Sequence, residues 1–341
     1  MDYPIDFVVT WLDSSDLGWQ EQYYKYKKSV DEGDQTKARF RDWELFKYWF
    51  RAVENFVPWV NRVFLVTNGK FPDWINENHP KLVLIKHSDY IPEEFLPTFN
   101  SCTIELHMNK IPGLSEHFVY FNDDCFINAP ITPEYYFRDG LPCDNNKETV
   151  FNVAHFNPID RFNIYISMFT NICVINRYFD RRESVKQSPK RWYGLHLGKG
   201  GLLTSLFLKL YNDPRFVGFN WRHVEQPYLK SVWDEAWGKE PEMLNNSCTR
   251  FREDVILNPY FFRYWQFASN KFYPVKLNRV KKIRAVKQGI PLIISALEDR
   301  NVYSLCINDT PFCTDDEFIS FKEQLRCAFD KKFPIKSSFE V

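Results

Sequence analysis

Short β-branched and aromatic runs recur along the first 135 residues, and three of them end abruptly in a polar cluster. Ile5 to Trp11 (IDFVVTW) runs into Asp13-Ser14-Ser15-Asp16, Arg62 to Thr67 (RVFLVT) into Asn68-Gly69, and Phe118 to Phe121 into Asn122-Asp123-Asp124. Such runs read as buried strands, and Leu82 to Ile85 is a fourth. Helical spacing lies between them. Leu45, Phe46, Trp49, Phe50, Val53 and Phe56 fall on one helical face within Arg41 to Phe56, closed by Pro58. Ser101 to Lys110 predicts a further helix, ended by Pro112-Gly113. Strands alternating with helices argue for a largely parallel sheet with helices packed on both faces. Ligands of such sheets bind beyond the carboxyl ends of the strands, so the three polar clusters are expected on one rim.

After about residue 135 the rhythm weakens. Asn171 to Ile175 reads as a strand, Arg181 to Lys199 is basic and turn-rich, and Lys271 to Lys287 is a second basic stretch. The second stretch suits either a solvated surface or a phosphate or lipid headgroup. Thr314 and Glu317 form a capping-box pattern, and Phe318, Phe321, Leu325 and Phe329 give the helix that follows an apolar stripe.

Composition removes whole classes of function. The 341 residues carry 44 basic and 44 acidic side chains, so no general attraction to nucleic acid or anionic membranes is expected. The apolar and charged fractions, 44% and 26%, are those of a soluble globular chain. The aromatic fraction of 18% goes mostly to core packing. Eight cysteines occur without a CxxC pair. Cys125, Cys173 and Cys306 lie in apolar runs, where a thiol behaves as a small hydrophobe. No signal peptide and no run near the ~18 apolar residues of a membrane helix is read. The expected location is cytoplasmic, at most peripheral at the inner face of the membrane.

Several residues carry candidate chemistry. Adjacent carboxylates at Asp123 and Asp124 after a strand suit a hard divalent cation; the alternative is an Asx-rich turn. His223 can act as a general base or steady a phosphate, against a plain surface or core role. Arg250 and Arg252 flank Phe251 and can grip a phosphate, against a salt-bridged turn. Asn308-Asp309 is another polar pair after an apolar run. GxGxxG, Walker and GxSxG patterns are absent.

Taken together these segments resemble the Stealth proteins. IDFVVTWLDSSD, RFRDWELFKYWFRAVENFVPWVNRVFLVTNG and LPTFNSCTIELHMNKIPGLSEHFVYFNDD match its first two blocks, NWRHVEQPYLK and TRFREDV the third, and SLCINDT the fourth. The resemblance implies a Rossmann-like, GT-A-like α/β fold of the nucleotide-sugar-transferase kind, a largely parallel sheet with helical insertions. It implies transfer of a hexose-1-phosphate or HexNAc-1-phosphate from a UDP-sugar to a glycan hydroxyl, in capsular or exopolysaccharide synthesis, with UMP leaving. One catalytic unit would span 1–341, with a nucleotide-binding βαβ core over 1–135. An acceptor- and phosphate-binding half over 136–341 would complete the site. Catalytic roles fall on Asp123, Asp124, His223 (general base) and Arg250 (phosphate clamp, helped by Arg252). Trp11, Asp13, Asp16, Asn68, Gly69, Asn100, Ser101, Glu105, Asn122, Asn308 and Asp309 would line the substrate site. Mg²⁺ or Mn²⁺ is the implied cofactor, at Asp123 and Asp124, and a lipid-linked oligosaccharide or polysaccharide the implied acceptor. A conventional glycosyltransferase releasing UDP is the nearest alternative; a non-catalytic carbohydrate-binding protein and a metal-dependent phosphatase are further ones.

Overall fold

A computed structural model of the chain describes residues 3–27, 41–150, 164–251, 256–309 and 313–341. Its centre is a five-stranded sheet in the order β3-β2-β1-β4-β8. The strands are β1 (Ile5–Thr10), β2 (Val63–Thr67), β3 (Leu82–Lys86), β4 (His117–Phe121) and β8 (Gln226–Leu229). The first four run parallel, and β8 lies antiparallel beside β4. Phe7, Val8, Val9, Val63, Phe64, Leu65, Phe118 and Val119 are wholly buried, as expected of strands covered on both faces. The predicted parallel α/β sheet is therefore present, and β8 ties the second half of the chain into it.

Two small sheets flank the centre. In one, β10 (Val280–Arg284) pairs parallel with β11 (Ser304–Asn308), which pairs antiparallel with β5 (Cys125–Ile127). In the other, β7 (Leu141–Asp144) lies between β6 (Phe137–Arg138) and β9 (Tyr273–Pro274). The helices that concern the site are α1 (Leu17–Tyr26), α2 (Phe46–Phe56), α3 (Ser101–Leu106), α4 (Ile164–Tyr178), α5 (Tyr260–Ala268), α6 (Ile290–Glu298) and α7 (Asp315–Lys332).

Three expectations are corrected. Asn171 to Ile175 lies inside α4 and is not a strand; a five-residue apolar run looks alike in a buried helix and a buried strand. Cys173 on that helix is exposed, so its thiol is not core packing. The helix expected from Arg41 begins only at Phe46, because Glu44 takes a left-handed backbone (φ 54°) and the preceding residues run across to α7. All eight cysteines are free.

The predicted capping box is formed: the Thr314 hydroxyl accepts from Glu317 N at 3.2 Å, and Glu317 Oε2 accepts from Thr314 N at 3.1 Å. Phe321, Leu325 and Phe329 are buried beneath α7. Thr314→Ala is expected to lower stability by about 0.5–2 kcal/mol in urea denaturation; an unchanged midpoint would show that packing alone sets this helix start.

Candidate active site

The rim where the parallel strands end collects the polar clusters. Trp11 to Asp16 follow β1, Asn68-Gly69 follow β2 and Asn122 to Asp124 follow β4. Because β8 runs the opposite way, its amino end lies at the same rim and brings His223 and Glu225 there. β5 starts at Cys125, directly after Asp124, and Cys125 pairs with Cys306 of β11.

At the centre, His223 Nε2 lies 3.1 Å from Asp124 Oδ2. Cys306 Sγ donates to the same oxygen at 3.4 Å and Cys125 Sγ donates to Oδ1 at 3.2 Å. Burial alone would raise the Asp124 pKa, but the imidazole and the two thiol hydrogen bonds outweigh it and hold the carboxyl below its usual range. For His223 burial opposes the charged form, and the Asp124 carboxylate overcomes it, so the imidazole is held above its ordinary value. With Nε2–H donating to the carboxylate, a neutral His223 keeps its lone pair on Nδ1.

Asp123 differs from its neighbour. Its side chain reaches solvent, and it makes no hydrogen bond to another side chain among the described residues. Enclosure by the surrounding cleft, then the like charges of Asp124 and Asp42, push its carboxyl up to about 7. Glu225 is buried and pushed up to about 7 by desolvation, with the Ser304 hydroxyl donating to it.

The loops after β1 and β2 are joined by Lys70, whose ammonium lies 2.7 Å from Asp13 Oδ2 and 3.9 Å from Asp16 Oδ1. Burial acts to raise the Asp13 pKa, and Lys70 and Ser15 bring it below the usual value. Asp16 also caps α1 by accepting from Trp19 N at 3.0 Å. Asn68 Oδ1 accepts from Lys70 N at 3.4 Å, and Gly69 takes φ 120°, a backbone that favours glycine. Trp11 stacks on Phe46 with ring centroids 6.0 Å apart. Trp11, Asp13, Asp16, Asn68 and Gly69 are thus brought to one corner.

Arg250 bridges the loop before α3 and the end of α1. Its Nε donates to Pro97 O at 2.9 Å and its Nη2 to Leu96 O at 3.1 Å, and its guanidinium lies over the Tyr26 ring at 4.1 Å. No hydrogen bond or ion pair among the described residues joins it to Asp124 or His223. Asn100 caps α3 by accepting from Cys102 N at 3.0 Å and donates to Thr249 Oγ1 at 3.0 Å. Asn100 and Arg250 therefore hold two segments together, with Ser101 opening the same helix. Glu105, one turn along α3, is near enough for its charge to act on His223 and Tyr120. Arg252 lies outside the described residues. Asn122 Oδ1 accepts from Tyr120 OH at 2.7 Å, and Asp309 Oδ2 accepts from Trp43 Nε1 at 3.3 Å.

Sequence reasoning gave no site role to Lys70, Cys125, Cys306 or Glu225, and reached the cations of β10 only within the basic stretch Lys271 to Lys287, read as a solvated surface or a phosphate or lipid headgroup site. Lys282 pairs with Cys306 and Arg284 with Asn308. Paired residues on neighbouring strands point to the same face, so both cations share the face whose thiol meets Asp124. Lys282 lies 5.2 Å from the Trp221 ring, and its charge acts on His223. Among the described residues neither cation forms an ion pair. The alternation of Lys282 and Arg284 with Ile283 was the available signal; the basic stretch around them hid it.

Asp124, Cys125 and Cys306 offer ligand atoms that all lie within 4.8 Å of one another, a grouping compatible with a divalent metal. The donors are mixed in character. Mg²⁺ and Mn²⁺ prefer oxygen, whereas thiolates select softer ions. Asp123, with an exposed carboxylate, and Asn122 fit a hard cation better than Asp124, whose oxygens already receive three donors.

The conserved region 2 of Stealth proteins matches residues 39–144. The capsular polysaccharide phosphotransferase WcwK of Streptococcus pneumoniae is 38% identical over 98% of both chains. The receptor polysaccharide phosphotransferase WefC of Streptococcus oralis is 36% identical over 99% of both. The exopolysaccharide phosphotransferase cps2G of Lactiplantibacillus plantarum is 35% identical over 99% of this chain and 96% of its own. Among solved structures, a galactosyltransferase LgtC in complex with donor and acceptor sugar analogues covers 95% of each chain at 10% identity with a TM-score of 0.39, too distant to bear on activity. On identity that runs the length of the chain, together with the matched region, this protein belongs to the Stealth family and is a transferase enzyme.

Proposed function

We propose that the chain transfers a hexose-1-phosphate or HexNAc-1-phosphate from a UDP-sugar to a glycan hydroxyl in capsular or exopolysaccharide synthesis, acting as one catalytic unit. The carrying observation is the His223–Asp124 pair at the sheet rim. The acceptor oxygen forms a bond to the β-phosphorus, the bond from that phosphorus to the bridging oxygen breaks, and UMP leaves. His223 Nδ1 takes the acceptor proton, and Asp124 orients the ring and steadies the imidazolium. Lys282 and Arg284 meet the charge on the phosphates, a role the reading of the sequence gave to Arg250 and Arg252. Arg250 keeps a positioning part through Leu96 and Pro97. The corner at Trp11, Asp13, Asp16, Asn68 and Gly69 receives the nucleotide. Asn100, Ser101, Glu105, Asn308 and Asp309 border the acceptor side.

Mg²⁺ or Mn²⁺ would be held by Asp123 with Asn122, where it would offset diphosphate charge. The acceptor is a lipid-linked oligosaccharide or polysaccharide, and the protein works in the cytoplasm, attached peripherally to the membrane. Among the described residues no helix is long and apolar enough to cross a membrane.

The test is the nucleotide product. With UDP-GlcNAc or a UDP-hexose, Mg²⁺ or Mn²⁺ and a glycan acceptor pool, the expected outcome is acceptor-dependent UMP. Acceptor-dependent UDP would mean attack at the anomeric carbon and a conventional glycosyltransferase.

A further inference from the structure

The helix Gly198–Tyr211 is amphipathic the wrong way round for a soluble protein. Its inward residues are Gly201, Ser205 and Leu208. Gly201 lets the helix approach closely: a Cβ there would lie 3.1 Å from Lys147 Cγ and 3.1 Å from Leu197 Cβ. Its outward stripe is Leu203, Leu206, Phe207 and Leu210, spaced i, i+3, i+4 and i+7. Leu203 is 67% exposed, Phe207 64% and Leu210 85%, and Leu195 just before the helix is 88% exposed. A surface helix ordinarily turns such a stripe to the core. Isolated exposed leucines need no explanation, but a contiguous stripe marks an interaction surface.

Charge around the stripe indicates what covers it. Residues 186–212 contain Lys186, Lys190, Arg191, Lys199 and Lys209 and no Asp or Glu, within a chain whose net charge is zero. Lys199 and Lys209 are exposed on the helix itself. A second copy of this chain docking through the stripe would bring two sets of these lysines together, a like-charge juxtaposition that disfavours it. An anionic lipid surface answers both features: acyl chains for the leucines and phenylalanine, headgroup phosphates for the lysines.

We infer that Gly198–Tyr211 lies in the interface of an anionic membrane leaflet and attaches the enzyme to it. This rests on the peripheral attachment proposed above and gives it an element and a lipid class. The helix is joined to the catalytic segment by a short path. Gly201 packs on Lys147, whose carbonyl accepts from Asn220 N at 2.9 Å, three residues before His223. A membrane-bound helix would thus hold the site close to a lipid-linked acceptor.

The test is co-sedimentation of the full chain with vesicles of phosphatidylglycerol and phosphatidylcholine, with phosphatidylcholine vesicles alone as the comparison, and no donor or acceptor present. The wild type is expected to bind the anionic vesicles. Phe207→Ser with Leu210→Ser should weaken that binding at least tenfold. Lys199→Gln with Lys209→Gln should weaken it and reduce its salt dependence. All four side chains are exposed, so the fold should survive, and turnover on a water-soluble acceptor should be unchanged. If the wild type binds no vesicles, peripheral attachment itself fails. If it binds and the Phe207/Leu210 variant binds equally, attachment stands and this helix is not its element. If the same variant instead converts a dimer to a monomer, a second copy covers the stripe and the inference is overturned.

Discussion

Asp124→Asn is expected to lower kcat/KM by about 10²- to 10⁴-fold, the usual worth of a positioned acid–base group, and to move the acid limb of the pH profile downward. Asp124 Oδ2 lies 3.1 Å from His223 Nε2. A general base must be neutral, and the carboxylate holds the His223 pKa above its ordinary value. The wild-type acid limb should therefore lie above pH ~6.5, the unperturbed imidazole value. Asparagine removes the charge that raised it. Burial, which acts the other way, then governs, and the limb falls. Asparagine can also offer its amide N–H to the ring and favour the wrong tautomer. The stability contribution of the pair follows from the same shifts. The Asp124 part, from a lowered pKa, is present above the ordinary carboxylate value and is lost as pH falls through the folded value. The His223 part, from a raised pKa, is present below the ordinary imidazole value and is lost as pH rises through the folded one. His223→Ala should cost as much as Asp124→Asn, and the double variant little more, because the two act as a unit. A wild-type rate and an unmoved limb in Asp124→Asn would remove the pair from the chemistry.

How much of this was legible in the residues depended on the range of the signal. β1, β2, β3 and β4 were readable because each is a short, mostly apolar run, three of them stopping at a polar cluster, and the parallel sheet follows from their alternation with helices. β8 was not. Gln226 to Leu229 is four residues long and carries Pro227, and only its antiparallel pairing with β4 makes it a strand. That pairing is also what brings His223 to Asp124 across 99 positions of sequence. His223 and Asp124 could be named from the family resemblance, but their contact could not be read from either segment alone. Cys306 shows the converse. In sequence it sits in an apolar run and reads as inert, whereas register with Cys125 turns its thiol toward the Asp124 carboxylate. Asp16 and Asn100 were read as substrate residues and have a structural duty as helix caps; the short polar side chains that suit a binding rim are also those that cap helices.

Arg263 supports the segment leading to His223 from below, and Arg263→Met is expected to cost about 3–5 kcal/mol of stability, because it leaves a buried carboxylate without its partner. Arg263 and Asp144 are each 1% exposed and meet through two hydrogen bonds of 2.6 and 2.9 Å, joining α5 to β7. Nη2 also donates to Asn145 O at 3.3 Å, and Nη1 is directed at the site: it gives a hydrogen bond to Asn220 O at 2.8 Å, and the neighbouring Tyr260 OH gives one to Arg222 O at 2.7 Å. Two side chains of α5 therefore fix the backbone on the approach to His223, and Gln266 of the same helix accepts from Leu229 N on β8 at 3.0 Å. Loss of Arg263 should appear both as a lowered urea midpoint and as lost turnover, and the two cannot be separated in that variant. Tyr260→Phe separates them. It removes one hydrogen bond, worth about 0.5–1.5 kcal/mol, and leaves the ion pair in place, so the protein should remain folded while kcat falls because His223 is less well placed. The decisive comparison is kcat at a temperature where both proteins are fully folded. Unchanged turnover in Tyr260→Phe would show that the approach to His223 is held without α5, and that Arg263 serves stability alone.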